Sequence, residues 1–481
     1  MLGRVLAFAV LFATPLVNTR VLSKTAYGYY RQFWLLFETI TPILILGFPR
    51  SLLYFLPRAE TRQEKSVYVT QTVAFLSVLS LLSVAAYGVM AHTLGGGMGA
   101  VARAFFWRLS AFTVLVMITQ YMETLFVAER QVGRQAAFRV LVTVAQAVAV
   151  ILTAWMTHDV SKMIWALTIY ALVRFVFSLG YTASAYHLSP RHISLSSMAE
   201  QLSFALPVGL FSIALVLLGQ TDKFVISRFM GREAFAVYAV GAYQVPFANI
   251  VAQSVAGVTI PLMAALHKRG EIGSIAELWQ RAVVKQAVLF FPMLVILEIV
   301  ARPMIRILFT VKYAEAAPVF MIYVLLLLRT TVDCIGILQV FKKTTYLVVA
   351  FSIAFVVNVV LSVVMFHGMG RLGVPLATII TMTLVNVSNI AYAARLVDVP
   401  IRRFVPFGAL AARLMVAAAP GVAVWAVVRR ISVQTPAALA VVGIVYGVMY
   451  LALCSWTGFL TLRDVKQIVW PAPAEERGNE E

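Results

Sequence analysis

The chain has 481 residues, of which 61% are hydrophobic and only 12% are charged. Soluble proteins average about 25% charged residues, so this composition, with a mean hydropathy of +0.89, excludes a soluble enzyme. The 39 Lys and Arg residues outnumber the 20 Asp and Glu residues, for a net charge of +19. Membrane proteins collect Lys and Arg in cytoplasmic loops, and no basic soluble domain or groove-reading motif is present. The charge therefore indicates a membrane protein without a nucleic-acid partner.

Fourteen apolar segments follow one another along the chain, each near the roughly 20 residues that span a bilayer. The first, 5–22, has Arg4 before it like a signal peptide, but no clear small-residue cleavage site ends it, so we interpret it as a retained helix. The others are 30–56, 67–91, 104–127, 140–156, 163–186, 204–226, 234–262, 283–300, 317–337, 346–366, 374–396, 407–428 and 437–456. The even count and the Lys and Arg content of alternate loops predict a multi-pass membrane protein with both termini cytoplasmic.

Two pairs of short stretches suggest an internal repeat. Residues 18–23 (NTRVLS) close the first span and 222–227 (DKFVIS) close the seventh, and 26–30 (AYGYY) and 234–238 (AFAVY) open the spans that follow. Six spans separate the copies, and an even number keeps both halves in one orientation. This spacing predicts two halves related by a pseudo-two-fold axis along the membrane normal, although a match this short also arises by chance.

The predicted architecture is an all-α polytopic membrane protein with about 14 transmembrane helices. It comprises two six-helix bundles related by that pseudo-two-fold axis, followed by two extra C-terminal helices. The predicted domains are an N-terminal bundle (1–190), a C-terminal bundle (200–400), two additional transmembrane helices (401–460) and a polar cytoplasmic tail (461–481).

The repeat region also carries a family resemblance. Residues 19–30 (TRVLSKTAYGYY), 46–58 (LGFPRSLLYFLPR) and 367–378 (HGMGRLGVPLAT), with Leu206-Pro207 and 221–227, resemble the oligosaccharide flippases of the multidrug/oligosaccharidyl-lipid/polysaccharide (MOP) superfamily. The resemblance covers roughly residues 1–400. It implies two six-helix bundles around a central cavity that works by alternating access. It also implies a transporter of the cytoplasmic (inner) membrane, not an enzyme, that moves polyprenyl-pyrophosphate-linked (undecaprenyl-type) sugars to the outer leaflet for O-antigen-like surface polysaccharides.

Cationic residues within the spans are the candidates for binding such a substrate, because an ionisable group in the membrane marks a functional site by default. Guanidinium groups bind phosphate oxygens through a planar fork and ammonium groups act as point charges. The predicted pyrophosphate-binding set is Arg20, Arg31, Arg50, Arg174 and Lys223. For Arg20, Arg50 and Lys223, snorkelling to the membrane interface is an equally weighted alternative.

Three acids in the spans have two interpretations. Glu38, Glu123 and Asp222 are either counter-ions of the arginines or binders of a coupling proton or sodium ion. Arg329 and Asp333 lie four residues apart and are expected to form a structural pair. The only cysteines, Cys334 and Cys454, lie in apolar segments, so we expect no metal site. We expect no cofactor other than a possible proton or sodium gradient.

Prolines within spans free backbone carbonyls and permit bends. The hinge candidates are Pro15, Pro42, Pro207 and Pro246. Bends of this kind occur at the substrate sites of transporters, but proline is also common in ordinary membrane helices.

The expected partners are the lipid-linked oligosaccharide, membrane lipids and possible polysaccharide polymerase or assembly machinery, with the protein itself a monomer. Two other functions stay open: a multidrug or cation antiporter of the same superfamily, and a membrane-embedded glycosyltransferase or polymerase. A cationic substrate favours an acidic cavity, whereas bases outnumber acids among the candidates here. A glycosyltransferase generally needs acidic catalysts or a large outer loop, and the sequence predicts no large loop.

Overall fold

The computed structural model describes residues 2–243, 246–431 and 433–459, and every regular element in these ranges is helical. The all-α prediction is therefore confirmed. The helices are α1 (Leu2–Val21), α2 (Lys24–Ile45), α3 (Leu52–Phe55), α4 (Arg62–Thr93), α5 (Gly96–Ala104), α6 (Phe106–Ile118), α7 (Met122–Ala128), α8 (Val132–Thr157), α9 (Val160–Ala185), α10 (Leu195–Phe229), α11 (Arg232–Gly241), α12 (Pro246–Arg269), α13 (Ile272–Phe309), α14 (Ala317–Val324), α15 (Leu326–Thr331), α16 (Ile335–Val340), α17 (Thr344–Met369), α18 (Gly373–Leu396), α19 (Ile401–Phe404), α20 (Phe407–Arg430) and α21 (Pro436–Trp456).

Eleven helical segments of the described residues are long and apolar enough to cross a membrane, or twelve when a bent pair is counted as one span. The predicted count of fourteen is thus not confirmed. One of these segments, Thr344–Leu396, contains both α17 and α18, which are 26 and 24 residues long and are joined by the 3₁₀ turn Gly370–Leu372.

The chain divides into two compact units. The first comprises residues 1–246 and 342–385, and the second comprises 247–341 and 386–481. Helices α10 and α11 belong to the first unit, where both pack on α2. The domain boundaries expected from the sequence stay a prediction, and the expected tail, 461–481, lies outside the described residues.

Helix α2 has a defined start and a defined end in the sequence. The Ser23 hydroxyl accepts a hydrogen bond from the Ala26 amide at 3.1 Å and caps the first turn. At the other end, Leu46 and Gly47 both adopt left-handed backbone angles (φ 52° and 71°), which terminates the helix. The chain continues as the short helical segment Phe48–Arg58, bent by 46° from α2.

Two glycines allow α2 and its continuation to approach their neighbours closely. A Cβ atom on Gly28 would lie 2.5 Å from the backbone oxygen of Arg232, at the start of α11. A Cβ atom on Gly209 of α10 would overlap the backbone oxygen of Leu46. Small residues permit such backbone contact between membrane helices, where close packing replaces the hydrophobic effect as the source of stability.

The second unit is organised around α13, which packs against α20 and α21. The Tyr450 hydroxyl donates to the Val288 backbone oxygen at 2.7 Å, and the rings of Trp279 and Phe404 stack with centroids 4.3 Å apart. Buried aromatic side chains combine large apolar contact with a satisfied polar group. These contacts fix α13 against the C-terminal helices.

The backbone contact at Gly209 predicts a sensitive position. We expect Gly209→Ala to lower the free energy of unfolding by about 1–3 kcal/mol, because the new methyl group overlaps the Leu46 carbonyl. Thermal unfolding of the purified protein in detergent measures the change. Gly219→Ala on the same helix is the control, since a Cβ there meets open space. Equal midpoints for the two variants would contradict the role of the Gly209 contact.

Candidate functional site

A chain of polar side chains joins α2 to α10 in the first unit. The Gln220 amide donates to a carboxylate oxygen of Glu38 at 3.3 Å, and its own oxygen accepts a hydrogen bond from Lys223 Nζ at 2.6 Å. All three side chains are half-buried. Gln220 therefore connects an acid and a base that belong to different helices.

Arg31 adds a second base to this group of polar side chains, on α2. It lies about two helical turns before Glu38, on the same side of the helix. The Glu38 carboxylate and the Tyr27, Tyr30 and Tyr243 phenols are near enough to act on its charge. Its Nε is buried without a hydrogen-bond partner in the described part of the chain. We call Arg31, Glu38, Gln220 and Lys223 the α2–α10 polar cluster.

The cluster has a chemistry that suits an anionic group. It holds two bases and one acid, so an anion entering it would meet a net positive charge. The Arg31 guanidinium can donate several hydrogen bonds in a fixed plane, while Lys223 supplies a mobile point charge. Because the surrounding spans are apolar, these interactions are screened less than they would be in water.

Buried hydrogen bonds hold the helices that carry the cluster. The Gln32 amide donates to the Ser227 hydroxyl at 2.7 Å, between α2 and α10. Asp222 is buried and accepts a hydrogen bond from the Tyr238 hydroxyl at 3.0 Å, between α10 and α11. Asp222 is therefore next to Lys223 in the sequence, while its side chain contacts α11.

Different polar contacts join the helices at the two ends of the first unit. At one end the Thr25 hydroxyl donates to Glu233 at 2.7 Å, and the Arg232 guanidinium lies 4.4 Å from the Tyr29 ring centroid. We call these four residues the α2–α11 contact. They tie the first turn of α2 to the first turn of α11.

At the other end, Glu129 accepts hydrogen bonds from Lys65 Nζ and from the Tyr186 hydroxyl, both at 3.1 Å. Burial, reinforced by the Glu129 carboxylate, raises the pKa of the Tyr186 phenol above its ordinary value. The phenol therefore keeps its proton at physiological pH and remains a donor to Glu129.

Arg20, Arg50 and Arg174, the other three predicted cations, each contact a residue outside the α2–α10 polar cluster. Arg50 is exposed and donates to the Ser212 hydroxyl at 3.3 Å, and Arg20 is exposed and donates to the Leu16 backbone oxygen at 3.2 Å. The Arg174 guanidinium lies 6.0 Å from the Phe138 ring centroid. Of the five predicted cations, the polar cluster thus unites Arg31 and Lys223.

The remaining predicted residues have the following positions. Glu123 lies 4.0 Å from Arg139, and Arg329 forms the expected pair with Asp333 at 3.4 Å. Pro15, Pro42 and Pro207 lie within α1, α2 and α10, whereas Pro246 is the first residue of α12. A proline at the first helical position does not interrupt a helix, so Pro246 differs from the other three hinge candidates.

Gln220 is the member of the cluster that the sequence alone did not indicate. Its side chain is neutral, so the signal that marks the other three members, charge within a span, is absent. The available signal was its position three residues before Lys223 in an apolar span, where i and i+3 side chains are neighbours. In the described ranges no group of three or more His, Cys, Asp or Glu side chains could hold a metal ion.

Comparison with known proteins gives a family match and a shared fold. A family model described as "Polysaccharide biosynthesis protein" matches residues 17–318. No protein of curated function matches the sequence. A structure described as lipid II flippase MurJ in an inward closed conformation aligns with a TM-score of 0.72 and 14% identity, over 96% of this chain and 99% of that one.

Transporters of the MOP superfamily share the fold as well. An inward-facing multidrug resistance MATE family transporter aligns with a TM-score of 0.65 and 12% identity, over 82% of this chain and 94% of that one. A MOP superfamily transporter from Pyrococcus furiosus, described as having a binding pocket of reverse polarity, aligns with a TM-score of 0.57 and 12% identity over the same shares. The all-helical fold of the MOP superfamily, which the sequence predicts, is confirmed.

The buried Asp222–Tyr238 hydrogen bond predicts a measurable contribution to stability. We expect Tyr238→Phe to lower the free energy of unfolding by about 1.5–3 kcal/mol, because a buried carboxylate loses a donor. Thermal unfolding in detergent measures it. Tyr29→Phe is the control, since that hydroxyl makes no hydrogen bond within the described residues. An unchanged midpoint for Tyr238→Phe would show that this bond does not stabilise the α10–α11 packing.

Proposed function

Since this chain belongs to the polysaccharide biosynthesis protein family, whose model matches residues 17–318, we propose that it flips a polyprenyl-pyrophosphate-linked oligosaccharide. Transport runs from the cytoplasmic to the outer leaflet by alternating access and supplies surface polysaccharide synthesis. The family and the MurJ and MATE fold support a lipid-linked flippase or transporter. The substrate and the direction are the proposal's own.

The observation that carries the proposal is the α2–α10 polar cluster. A lipid pyrophosphate cannot carry its charge across bare hydrocarbon, because the cost of leaving water unpaired is too large. Arg31 and Lys223 offer replacement hydrogen bonds, and Glu38 and Gln220 hold Lys223 in place before the substrate arrives. When the pyrophosphate leaves, Glu38 again balances the bases.

The extent of the structural match also supports a lipid-linked substrate. The alignment with the MurJ structure covers 96% of this chain, whereas those with the MATE structures cover 82 or 83%. A cation antiporter is supported less, because the polar cluster holds more base than acid. In the proposal, Glu38, Glu123 and Asp222 act as counter-ions, and binding of a coupling proton or sodium ion by these acids is the alternative.

The proposal also assigns an orientation. With both termini cytoplasmic, as the loop charges predict, in the inner membrane that the family resemblance implies, the α2–α11 contact faces outward and the Lys65–Glu129 pair faces the cytoplasm. Release of substrate to the outer leaflet then requires the α2–α11 contact to open. The isoprenoid tail stays in the lipid while the charged headgroup passes through the protein, and the flipped product passes to the polymerase or assembly machinery.

Removing either base of the cluster tests the substrate. We expect Arg31→Met and Lys223→Met each to reduce flipping about tenfold to a hundredfold, because a charge-assisted hydrogen bond to the pyrophosphate is lost. In a deletion strain complemented with each variant, an impermeant sugar-modifying reagent measures how much lipid-linked intermediate stays in the cytoplasmic leaflet.

Arg139→Met is the matched control, because Arg139 is exposed and faces Glu123 outside the cluster. Wild-type rates in both cluster variants would remove the cluster from the mechanism. If intermediates do not accumulate in the deletion strain, and surface glycan remains intact with no second flippase present, the flippase function itself is wrong.

Locking the α2–α11 contact tests alternating access. We expect a short, cleavable bis-thiol cross-linker between Thr25→Cys and Glu233→Cys to stop flipping, because these side chains touch in the structure. Cleaving the linker should restore it. The two single-cysteine variants treated with the same reagent are the controls, and the native cysteines are buried. Undiminished flipping in the cross-linked protein would contradict opening at this end.

A further inference from the structure

The second unit contains a cavity, lined by both polar and apolar side chains, that the proposed function has not used. Its volume is about 300 Å³, and it is lined by residues of α12, α13, α15 and α16 and of the link between the last two. This is the lower end of the size range of small-molecule pockets. A cavity of this size suits a single sugar ring better than a whole oligosaccharide.

Three primary amides from three helices line this cavity. They are Gln253 of α12, Gln286 of α13 and Gln339 of α16. Gln253 and Gln339 are exposed and Gln286 is half-buried, and none of the three makes a side-chain hydrogen bond within the described residues. Polar side chains in apolar spans are costly unless they are paired. Packing of the unit therefore does not explain why the three amides are there.

Asp333 adds a fixed acceptor to the same cavity. One carboxylate oxygen accepts the Ile335 amide at 2.8 Å, and the other accepts the Arg329 guanidinium at 3.4 Å. The Asp333 backbone oxygen is bound in turn by the Trp279 indole at 2.9 Å. A carboxylate has about four acceptor positions, so this rigidly held group can still accept hydrogen bonds from a ligand.

Two hydroxyls of the cavity wall are oriented as acceptors. The Thr259 hydroxyl donates to the Val255 backbone oxygen and the Thr330 hydroxyl donates to that of Leu326, both at 2.9 Å. Each oxygen keeps lone pairs for a ligand donor. The cavity thus offers amides that both donate and accept, beside several groups that only accept.

We propose that this cavity binds one sugar unit of the lipid-linked glycan. Each sugar hydroxyl both donates and accepts a hydrogen bond, which matches the mixture of amide, hydroxyl and carboxylate groups. A cation fits less well because Arg329 already neutralises Asp333, and an apolar tail would leave the three amides unpaired. The inference rests on the proposed function and deepens it, since it concerns recognition of the glycan and not of the pyrophosphate.

Binding of two lipids by the purified full-length protein tests the inference. The probes are the lipid-linked oligosaccharide extracted from a deletion strain and the same polyprenyl pyrophosphate without sugar. We expect the wild type to bind the glycosylated lipid at least about tenfold more tightly, because several hydrogen bonds are added. We expect the Gln286→Leu, Gln339→Leu double variant to lose this preference and to bind the sugar-free lipid like the wild type.

Two further variants make the outcome specific. Gln146→Leu on α8 removes a half-buried amide outside the cavity and should keep the preference. Ala256→Phe fills the cavity from its wall and should abolish the preference without removing any polar group. Binding of the sugar-free lipid at wild-type strength reports that each variant is folded.

Each remaining outcome counts against the inference. A double variant and an Ala256→Phe variant that keep the wild-type preference would overturn it, and so would equal weakening of both lipids. A wild type that binds both lipids alike would overturn this inference alone. A wild type that binds neither lipid would overturn the proposed function as well.

Discussion

The constraint behind the whole structure is that a lipid bilayer supplies no hydrogen bonds. Backbone amides and carbonyls in the membrane must be satisfied within the protein, which favours helices. The described residues are accordingly helical throughout their regular elements. The same constraint applies to each polar side chain in a span. Such a side chain must form a hydrogen bond within the protein, reach the membrane interface or bind a ligand.

Close backbone contact is what brings polar groups together in the first unit. Glycines 28 and 209 let α2 and its continuation lie against α11 and α10. The Gln32–Ser227 bond then forms between α2 and α10, and the α2–α10 polar cluster spans the same pair of helices. Packing of small residues and pairing of polar ones thus support each other, as is usual where the hydrophobic effect cannot drive helix association.

The two units contain groups of side chains with different chemistry. The cluster in the first unit is charged and net positive, which suits a phosphate group. The cavity in the second unit is lined by neutral amides and a carboxylate already paired with Arg329, which suits hydroxyl groups. A charged and sugar-bearing lipid carries both kinds of chemistry in one molecule.

Some expectations failed for physical reasons that particular elements illustrate. The span predicted over 234–262 is divided between α11 and α12, because continuous hydrophobicity does not reveal where a backbone breaks. The chain turns at Gly270 (φ 76°) after α12, and the polar residues that follow form the first four turns of the 38-residue α13. Here Trp279 is buried against Phe404, a tertiary contact that no local pattern contains.

The sequence by itself determined the membrane class and the helical fold, because length, hydrophobicity and loop charge are properties of local segments. Its short motifs carried the resemblance to the superfamily. It also marked Arg31, Glu38 and Lys223 as unusual, since charge in a span is visible without a structure. Only the tertiary structure decided that Glu38 and Gln220, 182 residues apart, form one hydrogen bond. It alone also brought Gln253, Gln286 and Gln339 into one cavity, because contacts between distant helices depend on packing geometry and not on sequence distance.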